Sequence, residues 1–142
     1  MPSITTFAPE HIPHAVELWE STEHMCLSDS DEPEALESYL LRNPGLSFVA
    51  IRSGRVVGTI LCGHDGRRGC IYHLAVADSY RRNRLGSELL RKSLESLERA
   101  GISDCHAFVF DDNPFANLFW QRQGWEYRDD LLVFTLDSMR RD

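Results

Sequence analysis

An amphipathic segment at residues 85–100, set between two short apolar runs, constrains the fold of this chain more than any other feature. Its leucines recur at helical spacing while its opposite face is charged, and Gly101 supplies the left-handed residue that commonly ends a helix. The apolar runs at residues 70–76 and 105–110 fit strands. Because the two runs flank a helix, they predict a right-handed crossover between parallel strands.

The rest of the chain favours antiparallel pairing and further helices. Residues 47–52 and 55–62 fit two strands joined by a tight turn. Further strands are predicted at residues 4–7, 125–127 and 131–136, and further helices at residues 9–19, 33–41 and 114–123. These elements predict an α/β (α+β) protein with a mixed sheet.

Composition narrows the class of protein. A chain of 142 residues, 42% of them hydrophobic, suits one globular domain over residues 1–142. No apolar run approaches the roughly 20 residues of a membrane helix, so we expect a cytoplasmic protein with no membrane partner. The net charge of −7 argues against nucleic acid as a partner. The four cysteines form no C-x-x-C pair, so neither a disulfide framework nor a metal site is expected.

A cluster of positive charge lies between the first of these predicted parallel strands and the amphipathic helix. Arg81, Arg82 and Arg84 fall within four residues of this acidic chain. A helix N-terminus presents unpaired N–H groups, Gly86 would let the backbone approach a phosphate closely, and Ser87 adds a hydroxyl donor. The pattern predicts an anion site, with a solvated loop as the alternative.

Two motifs resemble those of the GNAT acetyltransferases. The first is L-A-V-A-D-S-Y-R-R-N-R-L-G-S-E-L-L at residues 74–90, whose loop is similar to the family's Q/R-x-x-G-x-G/A. Arg81 stands at the first position of that loop and Gly86 at the last, but Arg84 replaces the middle glycine. The second is N-P-F-A-N-L-F-W-Q-R-Q-G-W at residues 113–125, which is similar to N-x-x-A-x-x-F-Y-x-x-x-G-F.

The resemblance covers essentially the whole chain and implies a small stand-alone N-acetyltransferase of bacterial type with the GNAT fold. This fold has a mixed, mostly antiparallel central sheet of about seven strands with about four helices. Its central parallel strands splay apart to admit the pantetheine arm of acetyl-CoA, which is the co-substrate, and no metal is implied. The residues implied to bind acetyl-CoA are Leu74, Ala75, Val76, Arg81, Arg82, Asn83, Arg84, Leu85, Gly86, Ser87, Asn113 and Trp120.

The catalytic group is marked less clearly. In many members of the family a carboxylate or histidine on the central strand removes the amine proton, and Cys70 and Tyr72 stand at those positions. Neither is an obvious base, so we expect water relayed through Tyr72, or a carboxylate elsewhere in the chain. Tyr72 is also the candidate proton donor to the thiolate, because Trp120 replaces the family's tyrosine and an indole N–H is not a usable acid.

Histidines offer other interpretations. His73 is an alternative base, although strand alternation predicts that it lies on the opposite face from Tyr72. His11 and His14 have helical spacing without an evident third ligand, which favours surface histidines over a metal site. Residues 64–68 fit a charged hairpin turn, with contact to the acceptor as the alternative.

The predicted activity is transfer of the acetyl group from acetyl-CoA to a primary amine by direct attack. The partners are acetyl-CoA and a small-molecule or peptide amine acceptor, and the acidic composition favours a basic acceptor. Nothing in the sequence opposes a homodimer. The alternative is a non-catalytic acyl-CoA-binding or sensory module that keeps the phosphate loop but lacks acid and base groups.

Overall fold

The computed structural model of the protein describes residues 2–137, which belong to two compact units, Met1–Phe110 and Asp111–Asp142. Within the described residues, the first unit holds the sheet and three α-helices, and the second holds one α-helix. The single domain over residues 1–142 stays a prediction. None of the helices in the described part of the chain has the length and apolarity needed to cross a bilayer.

The sheet has five strands whose order in space follows their order in the chain. The strands are β1 (Ser3–Thr6), β2 (Phe48–Arg52), β3 (Arg55–His64), β4 (Gly69–Val76) and β5 (Cys105–Ala107). Neighbours are antiparallel except for β4 and β5, which are parallel. The mixed, mostly antiparallel sheet and the parallel pair around a helix are therefore confirmed.

The four α-helices follow the sequence pattern closely. They are α1 (Ile12–Glu20), α2 (Pro33–Arg42), α3 (Leu85–Arg99) and α4 (Pro114–Arg122). A proline lies in the first turn of α1, α2 and α4, where its missing N–H costs no intrahelical bond. Short 3₁₀ turns at Pro9–His11, Asp29–Asp31 and Asp78–Tyr80 precede α1, α2 and the loop before α3.

Helices cover both faces of the sheet in the first unit. A Cβ built on Gly58 would lie 3.0 Å from Leu89 Cδ1, so Gly58 faces α3. The next residue, Thr59, points to the opposite face, because successive strand residues alternate in direction. There it accepts a hydrogen bond from the fully buried Trp19 of α1. Leu61 and Ala75 share the apolar core of α1 and α2. The sheet is thus the middle layer of this unit.

Two sequence predictions on strands are wrong in detail. Residues 125–127 and 131–136 form no strand, so the sheet has five strands rather than about seven. β5 ends at Ala107 instead of extending to residue 110. The physical reason is that a β-favouring composition forms a strand only where a neighbouring edge accepts its backbone hydrogen bonds.

Candidate active site

Strand β4 separates from β5 halfway along its length. The parallel pairing runs from Gly69 opposite Cys105 to Ile71 opposite Ala107 and then stops. β4 continues to Val76, still paired to β3 on its other side. Among the described residues, the second half of β4 therefore has no partner strand on its β5 side. Backbone groups on that side are available to a ligand, apart from the His73 and Val76 carbonyls, which accept side-chain hydrogen bonds.

A β-bulge lies where the two strands part. Tyr72 pairs with Leu61 and Ala75 with Thr59, so two residues of β4 stand opposite one residue of β3. His73 adopts a left-handed φ of 46° within this bulge, a conformation that histidine tolerates better than most residues. Bulges bend a strand and redirect its side chains.

The bulge places Tyr72 and His73 on the same side of the sheet. The Tyr72 ring lies 6.4 Å from the ring of Tyr39 on α2, and the His73 ring lies 4.7 Å from that of Trp19 on α1. The prediction that His73 lies on the opposite face from Tyr72 is therefore wrong. The alternation of side chains holds only in a regular strand, and the extra residue of the bulge interrupts it.

Tyr72 presents a hydroxyl that keeps its proton. Tyr72 is 41% exposed, and its ring stacks on Phe108 at 6.1 Å between centroids. Burial of the phenol, followed by a side-chain hydrogen bond with Cys70, raises the pKa of Tyr72 to about 12. Tyr72 is consequently a hydrogen-bond donor across the neutral pH range and not a base.

The side chains next to Tyr72 also keep their protons. Burial raises the pKa of the Cys70 thiol, which argues against a thiolate base at that position. Burial likewise raises the pKa of Tyr39, whose hydroxyl has no hydrogen-bond partner among the described residues. The Cys70 thiol and the Tyr39 hydroxyl are therefore neutral groups rather than bases.

His73 is held by a network that sequence reasoning missed. His73 Nε2 lies 2.7 Å from Asp31 Oδ1. The His73 carbonyl accepts a hydrogen bond from Thr59 Oγ1 at 2.8 Å, and Thr59 Oγ1 accepts one from Trp19 Nε1 at 2.8 Å. Asp31 and His73 are 42 positions apart, so no local sequence pattern connects them.

The loop before α3 retains a glycine-like backbone without the glycine. Arg84 is the N-cap of α3 and has φ 61° and ψ 16°, and Arg82 has φ 69°. The first intrahelical bond runs from Glu88 N to Arg84 O at 3.0 Å, and no side chain caps the helix. The amides of Leu85 and Gly86 thus precede the helical hydrogen-bonding pattern, at the positive end of the helix dipole.

The three arginines of this loop differ in what they contact. Arg81 donates through Nε to the Val76 carbonyl at 3.1 Å and forms an exposed ion pair with Asp78 at 3.0 Å, so it fastens the loop to β4. Arg82 and Arg84 are exposed and have no ion-pair partner within residues 2–137. Their guanidinium groups are therefore the ones available to an external anion.

The other predicted contact residues occupy two places. Within β4, Ala75 is buried, while Leu74 and Val76 are half-buried at the separated half of the strand. Asn83 is exposed in the loop, and Ser87 is half-buried in the first turn of α3.

The last two predicted contact residues lie in the second unit. Asn113 caps α4 by accepting a hydrogen bond from Ala116 N at 3.1 Å, and the Trp120 ring contacts the Trp125 ring at 4.5 Å. Their contact with acetyl-CoA stays a prediction.

The charged segment at residues 64–68 forms a hairpin turn between β3 and β4. Asp65 Oδ1 accepts hydrogen bonds from Arg67 N and Arg68 N at 2.8 and 2.9 Å, and these bonds lower the pKa of Asp65. Arg68 Nε pairs at 3.0 Å with Asp104, the residue that precedes β5.

At the start of the chain, His11 Nδ1 accepts a hydrogen bond from Ala8 N at 2.9 Å.

The separated strand and the uncapped helix N-terminus after it can offer backbone groups and the positive end of a helix dipole to an anionic ligand. The sequence of residues 13–125 matches the acetyltransferase (GNAT) family. The chain therefore belongs to the GNAT family of acetyltransferases and is an acyltransferase enzyme.

Similar proteins agree with this family. The acetyltransferase SG1711 of Sodalis glossinidius (strain morsitans) is 29% identical over 131 residues, which are 92% of this chain and 91% of that protein. A GNAT-family acetyltransferase from Staphylococcus aureus Mu50 superimposes with a TM-score of 0.81 at 20% identity, covering 97% of this chain and 95% of the other. The PaiA N-acetyltransferase of Thermoplasma acidophilum, solved in complex with coenzyme A, gives a TM-score of 0.77 at 18% identity, covering 91% and 92%.

Proposed function

We propose that the protein transfers the acetyl group of acetyl-CoA to a primary amine by direct attack of the amine on the thioester. The observation that carries this proposal is the separated half of β4, which leads through one short loop to the uncapped N-terminus of α3. Free backbone groups of a strand suit the amides of pantetheine, and an uncapped helix N-terminus suits a pyrophosphate. The separated half of β4 and the N-terminus of α3 follow one another in the same order as the pantetheine and the pyrophosphate in CoA.

The proposed contacts with acetyl-CoA lie at these two positions. The backbones of Leu74, Ala75 and Val76 are proposed to hold the pantetheine arm and the acetyl carbonyl. The amides of Leu85 and Gly86 would bind the pyrophosphate. The remaining proposed contacts around the phosphates are Arg81, Arg82, Asn83, Arg84 and Ser87. Asn113 and Trp120 are proposed contacts that the family resemblance of residues 113–125 implies.

The chemistry requires a neutral amine and a stabilised leaving thiolate. The amine nitrogen forms a bond to the acetyl carbon, the carbon–sulfur bond breaks, and the amine proton is lost. Tyr72 would donate a hydrogen bond to the departing sulfur. Full proton transfer is disfavoured because its pKa of about 12 lies above the value of about 8.5 typical of a free thiol. Water relayed along the cleft would take the amine proton.

The acceptor is proposed to be a basic small molecule, an amino-acid derivative or a peptide N-terminus, handled in the cytoplasm. The net charge of −7 favours a cationic acceptor. A non-catalytic acyl-CoA-binding module is the competing function, because Cys70 and Tyr72, which stand at the family's base positions, both keep their protons.

An amine panel distinguishes these functions. The protein would be incubated with acetyl-CoA and, separately, spermidine, lysine amide and short peptides with free N-termini. Release of CoA thiol would be followed, and products identified by mass spectrometry. We expect amine-dependent thiol release with an N-acetylated product. Binding of acetyl-CoA without release on any amine would favour the non-catalytic module, and no binding at all would overturn both.

A further inference from the structure

An enclosed acid–histidine pair joins strand β4 to the connection between α1 and α2. His73 Nε2 and Asp31 Oδ1 are 2.7 Å apart, and the two side chains are 16% and 9% exposed. A hydrogen bond of this kind, involving a charged group and largely shielded from water, is stronger than one on the surface. The pair therefore fixes residues 28–31 to strand β4 more strongly than an exposed surface hydrogen bond would.

Both ends of this attachment are built into the surrounding structure. The second carboxylate oxygen, Asp31 Oδ2, accepts a hydrogen bond from Ser28 N at 3.0 Å, and Asp31 N donates to Ser28 O at 2.9 Å. On the other side, Trp19 packs on the His73 ring and, through Thr59, holds the His73 carbonyl. The position of residues 28–31 is thus tied to the position of the bulge.

The connection so attached borders the proposed reaction centre. His73 and Tyr72 are consecutive and point to the same side of the sheet, so the segment attached to His73 lies on the side that Tyr72 faces. The separated half of β4 begins at the same place. Residues 21–32 include Glu23, Asp29, Asp31 and Glu32 and contain no lysine or arginine. A segment of this charge next to the thioester would attract a protonated amine.

We propose that Asp31 and His73 are positioning residues that hold residues 21–32 as one wall of the acceptor-amine site. This inference rests on the proposed function, because it assigns the amine to that wall. Asp31 and His73 act through the segment that they hold and take no part in breaking or forming bonds. Loosening the pair should weaken use of the amine while leaving intact the proposed acetyl-CoA contacts along the separated edge of β4 and at the N-terminus of α3.

The test compares Asp31→Ala with Asp29→Ala. Both changes remove one carboxylate from the same 3₁₀ turn, but of these two residues Asp31 is the one that hydrogen-bonds the His73 side chain. With the panel amine of highest kcat/KM as the probe, we expect Asp31→Ala to raise KM for the amine about tenfold, the loss of one charged hydrogen bond. Asp29→Ala should raise it no more than about twofold. The dissociation constant for acetyl-CoA should stay within about twofold in both variants.

Hydrogen exchange supplies a readout that needs no amine. Asp31→Ala should accelerate amide exchange in residues 21–32, whereas Asp29→Ala should not. Asp31→Asn, which can still accept a hydrogen bond from the imidazole, should fall between wild type and Asp31→Ala in both exchange and KM. Equal exchange or equal KM in the Asp31→Ala and Asp29→Ala variants would overturn the inference. A wild-type protein that binds acetyl-CoA but acetylates nothing would overturn the proposed function and, with it, the acceptor wall, even if exchange shows that the pair holds the segment.

Discussion

At the scale of single residues, Tyr72 carries the chemistry proposed here. Its ring stacks on Phe108, and burial raises the pKa of its hydroxyl to about 12. Tyr72 thus presents a proton-bearing oxygen directly after the last residue of β4 that pairs with β5. Other polar groups beside it, the Cys70 thiol and the Tyr39 hydroxyl, also keep their protons. These hydroxyl and thiol groups are thus suited to stabilising a leaving group rather than to removing a proton from the amine.

Removal of the Tyr72 hydroxyl should slow turnover without unfolding the protein. We expect Tyr72→Phe to lower kcat about ten- to a hundredfold, because the departing sulfur loses a hydrogen-bond donor. The matched control is Tyr39→Phe on the same side of the sheet, which should change kcat by no more than about twofold. Steady-state kinetics with the best panel amine makes the measurement. A Tyr72→Phe variant with wild-type kcat would show that Tyr72 only lines the cleft and takes no part in turnover.

The pH dependence should follow the amine rather than Tyr72. Below the amine pKa of about 10, the neutral fraction rises tenfold for each pH unit, so kcat/KM for the amine should rise between pH 6 and 9. Because the pKa of Tyr72 is raised to about 12, its donor form predominates throughout that range and no falling limb is expected. A falling limb below pH 9 that disappears in Tyr72→Phe would contradict this assignment.

At the scale of elements, the loop and first turn of α3 combine backbone strain with positive charge. Arg82 and Arg84 both occupy the left-handed region, which costs a non-glycine residue about 1–2 kcal/mol. Arg84 stands where the family's loop has a glycine, and its backbone takes the conformation that glycine would favour. The side chain thus adds a guanidinium group to the loop without changing its backbone conformation.

Arg84→Gly should separate these two effects. Relief of the left-handed strain, less the entropic cost of glycine, should raise the free energy of unfolding by up to about 1 kcal/mol. Loss of the guanidinium should weaken acetyl-CoA binding a few-fold. Arg81→Gly is the control, since Arg81 has φ −69° and bonds Val76 and Asp78, so it should lose stability. Urea denaturation and calorimetric titration measure both quantities, and a destabilised Arg84→Gly variant would refute the strain argument.

Gly86 offers a test of the phosphate site at the start of α3. Gly86→Asp places a carboxylate in the first turn, where the helix dipole favours acids by about 0.3–1 kcal/mol, so stability should not fall. The same charge should repel the pyrophosphate and weaken acetyl-CoA binding by about tenfold or more. Gly86→Asn, of nearly equal size but neutral, should bind more tightly than Gly86→Asp. Wild-type affinity for acetyl-CoA in a folded Gly86→Asp variant would show that the phosphates bind elsewhere.

At the scale of the whole molecule, binding of acetyl-CoA should stabilise the native state. A ligand that binds only the folded protein adds about 2.7 kcal/mol at one hundred times its dissociation constant. We expect acetyl-CoA to raise Tm by several degrees, and pantetheine without its phosphates to raise it much less. Differential scanning calorimetry at increasing acetyl-CoA concentration checks this. Flat melting and titration curves at millimolar CoA would show that the assignment of the co-substrate is wrong.

The sequence by itself determined the local elements and the family. α3 was predicted from leucine spacing and Gly101, and the loop at residues 81–87 from its arginines and Gly86, because these signals lie within one or two helical turns. The motif at residues 113–125 likewise depends on near neighbours in the chain. Such patterns express backbone preferences and side-chain periodicities that act before distant parts of the chain meet.

Three features that depend on contacts between distant parts of the chain became visible only in the three-dimensional structure. The bulge at His73 arises from the register between β3 and β4. It places His73 on the same side of the sheet as Tyr72, contrary to the alternation expected of a regular strand. The Asp31–His73 pair joins residues 42 positions apart. The β-favouring segment at residues 131–136 forms no strand. In each case the outcome depends on which backbone edge or side chain lies opposite, and a one-dimensional pattern does not contain that information.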